Sequence, residues 1–208
     1  MDTSCLMLAC NLLTPISLGS IFLDDDLKDT GIEIDSHITI LYAQEKLIDK
    51  SEILEKIGPR YISYLYKLVK EDYYPAVFDL FELSSFSNES DYVVLRLKDS
   101  TELYQKLKWL NSELSKIYNV KSEFGSYKPH LTLAELKPGK AGNYLKSDLL
   151  QRVLRDSAFQ PEDFIISYGD SKNKEMKYIQ HDLTHNRSVD RIFRIRDLQG
   201  DLDDLKND

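Results

Sequence analysis

The sequence predicts an α+β fold built from two similar halves. Three observations carry that prediction. Short runs rich in β-branched and aromatic residues alternate with longer stretches whose apolar residues fall three and four apart. One tripeptide, His-x-Thr, occurs once in each half, as His37-Ile38-Thr39 and His130-Leu131-Thr132. The two histidines stand 93 residues apart, close to half of the 208-residue chain, as an internal structural duplication would place them.

The elements follow in order. Residues 5–10 and 16–23 predict strands, and the acidic stretch at 24–36, with Asp24-Asp25-Asp26, a loop or short helix. Ser36 to Tyr42 predicts a strand. Residues 47–71 carry Leu47, Ile48, Ile53, Leu54, Ile57, Ile62, Leu65, Leu68 and Val69, a helical spacing cut into two pieces at Gly58-Pro59. In the second half Phe78, Leu80, Phe81 and Leu83 suggest a strand, and Tyr92 to Leu97 another. Asp99-Ser100-Thr101 offers N-caps for a helix to about Ile117, with Leu103, Leu107, Leu110 and Leu114 on one face. Tyr127 to Leu133 is again strand-like and ends at Pro138-Gly139. A helix near 144–156 follows, then a hairpin of Phe164–Tyr168 and Met176–Ile179 around Gly169-Asp170-Ser171. The domain is expected over 1–185 and a charged tail over 186–208. In the tail Val189, Ile192, Phe193 and Ile195 form an amphipathic turn or a last strand, and Gly200 to Asp208 fray.

Composition narrows the function. A chain of 208 residues with 42% hydrophobic content can bury a real core, as one domain of two lobes or two small domains sharing a cleft. The net charge is −8, whereas proteins that track long nucleic acids usually present a basic face. A small phosphorylated ligand fits better than a long polymer. Cys5 and Cys10 lie in an apolar run with no disulfide framework and no Cys-x-x-Cys, which suits a reducing compartment. The first eleven residues lack the basic segment of a signal peptide, and their apolar run is too short to span a bilayer, so the expectation is a cytoplasmic protein.

The two tripeptides carry the chemistry. In a strand, alternate side chains share a face, so His37 with Thr39, and His130 with Thr132, form polar pairs above apolar neighbours. With four histidines and seven threonines in the chain, two chance occurrences of His-x-Thr come to about one in a hundred. Two imidazoles facing one phosphate make chemical sense. A neutral ring takes a proton from the attacking oxygen, and an imidazolium gives one to the leaving oxygen. Threonine hydroxyls donate to the phosphoryl oxygens as charge builds. This chemistry asks for no metal and no cofactor. His181 and His185 are four apart, a metal-binding spacing on a helix, but their segment reads as a strand end or loop.

Paired His-x-Thr motifs resemble the signature of the 2H phosphoesterase superfamily, which includes the LigT-like RNA cyclic phosphodiesterases. The runs Gly31–Tyr42 and Tyr127–Gly139, and Ser85-Phe86-Ser87-Asn88 ahead of Tyr92–Leu95, are similar to its phage-encoded members. That branch includes anti-CBASS nucleases, which destroy cyclic oligonucleotide alarm signals of bacterial defence. The resemblance spans roughly residues 15–180. It implies a bilobal, pseudo-twofold fold with two antiparallel sheets lining a central groove and helices outside. It also implies His37 and His130 as acid and base, and Thr39 and Thr132 as phosphate ligands. Two positions depart from the pattern: Ala43 replaces an expected Gly, and Glu135 an expected aromatic.

Two further residues are candidates for substrate contact. Lys128 shares strand parity with His130 and meets a second phosphate or is a solvated lysine. Tyr42 is on the opposite parity from His37 and reaches the groove only if the strand bends or ends there; the resemblance implies a base-stacking or hydroxyl contact, and core packing is the alternative. Three functions compete: a phosphodiesterase acting on small cyclic or 2′–5′ or 3′–5′ linked oligonucleotides, a processor of RNA 2′,3′-cyclic phosphates or 2′–5′ oligoadenylate, and a sponge that binds a nucleotide without cleaving it. No membrane partner is expected.

Overall fold

Alternation along the first strand sets the architecture. In β1 (Asp2–Leu13) the side chains of Ser4, Leu6, Leu8 and Cys10 are buried, while Cys5, Met7 and Ala9 are half-buried on the other face. A computed structural model describes residues 2–33, 35–44, 48–58, 61, 67, 74–120, 126–170, 176–182 and 188–193. Within them, β1 lies between β3 (His37–Gln44) and β7 (Ala158–Asp170), antiparallel to both. Beyond β7 come β8 (Met176–Asp182) and β9 (Ser188–Phe193). On the other side β3 meets β6 (His130–Leu136), then β5 (Asp91–Leu97) and β4 (Phe81–Ser87). Strand β2 (Leu27–Ile32) pairs with the far end of β6.

The sheet is open and antiparallel in every described pairing, and it falls into two wings. The ladder that joins the wings among the described residues is one residue pair of β3 and β6, Ile38 opposite Leu131. The expected two sheets are thus two wings of one hydrogen-bonded sheet, and each wing contributes one His-x-Thr strand to the seam.

Helices cover the buried face. α3 (Glu102–Tyr118) starts where the Thr101 hydroxyl accepts from the Tyr104 N–H at 3.2 Å. It ends at Asn119 in the left-handed conformation, φ 50°. Its stripe of Tyr104, Leu107, Leu110, Leu114 and Tyr118 is buried, and the helix packs on β3. Leu107, Leu110 and Leu114 meet the same core as Leu6, Leu8, Ile38, Leu131 and Phe164. Each such side chain contributes about 1.5–3 kcal/mol of burial. The first helix, α1 (Lys50–Ile57), also contacts α3. No helix among the described residues is long and apolar enough to cross a membrane.

Several expectations are corrected. Residues 16–23 are not a strand: Ser17 accepts from the Gly19 N–H at 3.2 Å and caps a 3-10 turn, Leu18–Ser20. Polar turn formers between the apolar residues outweigh their β-propensity. The acidic stretch holds a 3-10 turn, Asp24–Asp26, and then β2, where Gly31 takes φ +62°. Phe78 and Leu80 belong to a single helical turn, α2 (Val77–Leu80), with the strand starting only at Phe81. The helix expected near 144–156 is two, α4 (Ala141–Leu145) and α5 (Asp148–Arg155), because Ser147 caps a new start by accepting from the Leu150 N–H at 3.3 Å. The run Tyr127–Pro129 precedes β6 rather than belonging to it. The hairpin after Phe164 forms, and its first strand reaches back to Ala158. Of the tail, Ser188–Phe193 forms a strand against β8. Ile195, residues 200–208, His185 and most of the second helical piece at 59–71 lie outside the described residues.

Candidate active site

The seam between the wings brings the two His-x-Thr motifs together. Ile38 and Leu131 face each other and are fully buried. Continuing that antiparallel register one residue each way sets His37 across from Thr132 and His130 across from Thr39. Directly opposed residues share a face, so all four side chains lie on the face opposite the core, where all four are half-buried. By that register the histidines are diagonal neighbours across the seam.

Both rings are held in the same way. His37 Nδ1 donates to the Asp35 carbonyl at 2.8 Å, and His130 Nδ1 donates to the Lys128 carbonyl at 2.8 Å. A carbonyl only accepts, so each Nδ1 carries the proton and each Nε2 is left for chemistry. The bond runs from residue i to residue i−2 at both sites, so each ring takes its orientation from its own strand's entry. The Ser36 carbonyl ahead of His37 is fixed in turn by the Cys10 N–H at 2.9 Å.

Each motif is followed by a β-bulge at the same offset. In β3, Leu6 opposes Leu41 but Met7 opposes Thr39, leaving Ile40 unpaired. In β6, Val93 opposes Ala134 but Val94 opposes Thr132, leaving Leu133 unpaired. Each bulge puts two consecutive residues on the core side: Ile40 and Leu41, and Leu133 and Ala134, all buried. The bulge carbonyls are satisfied from outside the ladder. Asn111 Nδ2 donates to Ile40 O at 2.8 Å, and the Glu33 N–H donates to Leu133 O at 3.1 Å.

The bulge decides between the two sides open to Tyr42. Strict alternation puts it on the core face. The extra residue restores it to the face of His37 and Thr39, where it is 51% exposed. Glu135 holds the equivalent place three residues after Thr132. It accepts from Tyr92 Oη at 3.0 Å and lies 4.0 Å from Lys28 Nζ. Ala43 and Glu135 differ in setting: Ala43 is buried in the core, whereas Glu135 stands on the histidine face. Lys128 is exposed just before β6, so strand parity no longer sets its direction. Its carbonyl is the anchor of His130. His181 lies on β8, away from the seam in the strand order.

Beside the single ladder pair of β3 and β6, a side chain adds a second link. Tyr127 Oη donates to the Thr39 carbonyl at 3.0 Å, tying the entry of β6 to β3. Burial is the first cause that pushes this phenol strongly upward, so it stays a donor. The Cys5 thiol on the adjacent strand is pushed up to about 12 by burial, against a hydrogen bond from the Thr39 side chain.

The two imidazoles have different surroundings. The Phe86 ring meets His130 edge-on, with centroids 4.8 Å apart. Burial lowers the pKa of His130 below its ordinary 6.5; the Lys128 carbonyl works against that, and the charge of His37 adds to it. Arg96 lies directly opposite His130 in the register, on the same face, and its terminal nitrogen pairs with Glu82. Near His37 stands Glu33, whose carboxyl is raised by burial and lowered by the charge of His37.

Phe86, Arg96, Glu33, Asn111 and Tyr127 were not among the expected site residues. One signal for the bulges was present in the sequence. Ile40-Leu41 and Leu133-Ala134 are adjacent apolar pairs that break the alternation at the same offset from each Thr. Arg96 is the one charge in the run Tyr92–Leu97, which is otherwise apolar but for its tyrosine.

No protein-family model matches the chain, and no match was found among curated proteins. Among solved structures the chain is similar to Kluyveromyces marxianus Usb1 with uridine monophosphate. The identity is 14%, with 86% of this chain and 96% of that chain covered and a TM-score of 0.40.

Proposed function

We propose that the chain is a phosphodiesterase of the 2H type that works without a metal on small oligonucleotides. The observation that supports this best is the mirrored arrangement at the seam. Two His-x-Thr strands lie side by side in one sheet, each Nδ1 is pinned at 2.8 Å to the carbonyl two residues earlier, and each Nε2 is left to exchange a proton. Burial favours the neutral form of His130. We therefore assign His130 as general base and His37 as general acid. His130 Nε2 takes the proton of the attacking hydroxyl as its oxygen bonds to phosphorus. The bond from phosphorus to the leaving oxygen breaks, and that oxygen takes the proton of His37 Nε2. Thr39 and Thr132 donate to the non-bridging oxygens.

Within small oligonucleotides, the similarity of Gly31–Tyr42 and Tyr127–Gly139 to the phage-encoded branch supports cyclic oligonucleotide defence signals as substrates, and thus an anti-CBASS role. Tyr42, exposed on the histidine face, would stack on a base in this reading.

A substrate panel tests this reading. Cyclic dinucleotides, cyclic trinucleotides, 2′–5′ oligoadenylate and RNA ending in a 2′,3′-cyclic phosphate are incubated with the protein in EDTA and separated by chromatography. His130→Ala serves as control. Cleavage of a cyclic oligonucleotide that survives EDTA and is lost in His130→Ala is expected. Preference for the RNA end would move the protein to RNA processing. Stoichiometric binding with the ligand recovered intact would make it a sponge. Cleavage that EDTA abolishes, or that His130→Ala leaves untouched, would refute the mechanism.

A further inference from the structure

Beside His130 lies a polar pocket of about 110 Å³ that the reaction just described leaves unused. Arg96, Asp99, Ser126, Tyr127 and Lys128 contribute to its walls. Three features mark it as more than a surface dent. Arg96 shares the face of His130 and is its direct cross-strand partner, so the pocket it lines neighbours the histidine face. Arg96 uses a terminal nitrogen on Glu82, but its Nε is buried and has no hydrogen-bond partner among the described residues. A buried donor without an acceptor is costly, and a ligand oxygen would relieve it. Lys128 is exposed on the same wall and makes no ion pair among the described residues.

We propose that this pocket holds a second phosphate of the substrate, the one next to the phosphodiester being cleaved on the His130 side. Arg96 Nε–H and the Lys128 ammonium supply the donors. Asp99 adds an acceptor that suits a sugar hydroxyl and makes the site a poor trap for a bare anion. The ligand class is therefore an oligonucleotide with at least two consecutive phosphates, linear or cyclic, rather than a mononucleoside 2′,3′-cyclic phosphate. The proposal rests on the phosphodiesterase reading for its orientation, and binding tests it separately from turnover.

The probes are two deoxy oligomers, dTpdTpdT with two phosphates and dTpdT with one, titrated by calorimetry into the full chain. Binding of the trinucleotide is expected to be about tenfold or more tighter, with a salt dependence steeper by about 0.7 in the logarithmic slope, the value for one further single-strand phosphate. Arg96→Gln and Lys128→Gln should each remove most of that advantage and that extra slope. Lys128 is exposed in a loop, so its variant reports even if the strand substitution unfolds the protein; melting temperatures are recorded for both. Equal affinity for the two oligomers, or an advantage that survives both substitutions, overturns the proposal. If the second-phosphate advantage behaves as expected while the substrate panel shows no cleavage, the catalytic reading fails and the pocket stands. If cleavage occurs without the advantage, the reverse holds.

Discussion

Tyr127 is the sharpest single test of how the seam is held. Its hydroxyl donates to the Thr39 carbonyl at 3.0 Å across a junction where the ladder supplies one residue pair. Tyr127→Phe keeps the ring and removes the donor. The Thr39 carbonyl, part-buried in that bond, is then left unpaired at a cost of about 1–3 kcal/mol. For a chain of this size each kcal/mol moves the melting temperature by about 2–4 °C, so the variant should melt a few degrees lower. The same bond sets the spacing between Thr39 and the entry to His130. A misplacement of about 1 Å costs up to a hundredfold in rate, so kcat should fall by about tenfold or more with KM less affected. Thermal denaturation and steady-state kinetics on one preparation check both effects. A lower melting temperature with unchanged kcat would refute the role in spacing, and no change in either would refute the bond.

Other consequences can be measured independently. Phe86→Ala exposes His130 to water and relieves the burial that lowers its pKa. A general base acts when neutral, so the acid limb of kcat/KM in the unmodified protein should lie below 6.5 and move up toward it in the variant. The same lowered value has a stability sign. Between the folded value and 6.5 the unfolded chain binds more protons, so folding stability falls as pH drops through that window, as a pH series of urea melts would show. In the proposed mechanism each threonine donates to the phosphoryl oxygens, so Thr39→Val and Thr132→Val should each reduce kcat by about a hundredfold, and to a similar degree; a large loss in only one would break the pseudo-twofold account. Asp91→Ala removes a buried carboxylate that accepts from the Ala141 N–H at 2.9 Å at the start of α4. It should cost about 1–3 kcal/mol in chemical denaturation. That carboxyl is held below its ordinary 3.8, first by the Ala141 N–H, then by the Ser87 side chain and the Lys140 and Gly139 N–H groups, with burial working against them, so its contribution is present at neutral pH and lost only as pH falls through the lowered value.

Much of the site was legible because strands have a period of two. Parity alone put His37 with Thr39 and His130 with Thr132 on faces opposite their apolar neighbours, and the burial of Ile38, Ile40, Leu131 and Leu133 agrees. The pairing of β3 with β6 was not legible, because the partners are 93 residues apart and a single residue pair joins them. The side that Tyr42 takes was left open by the sequence, because one inserted residue inverts parity from that point on, and the adjacent apolar pair Ile40-Leu41 is an ambiguous mark of it. Residues 16–23 read as a strand because Ile16, Leu18 and Ile21 suggest burial, while Ser17 closing a local turn is a short-range choice that hydrophobic pattern does not register. Arg96 and Phe86 were passed over because their importance comes from a neighbour across the sheet, His130, and not from their own surroundings in the chain.

The central claim is that the two histidines act as one unit on one phosphate. Its most direct test is the kinetics of His37→Ala, His130→Ala and the double variant on the best substrate of the panel, in EDTA. Residues that act together are strongly non-additive. Each single change should cost about 10²–10⁴ in kcat, and the double variant should be little worse than either single. Losses that multiply in the double variant, or a single variant that retains full turnover, would contradict the account.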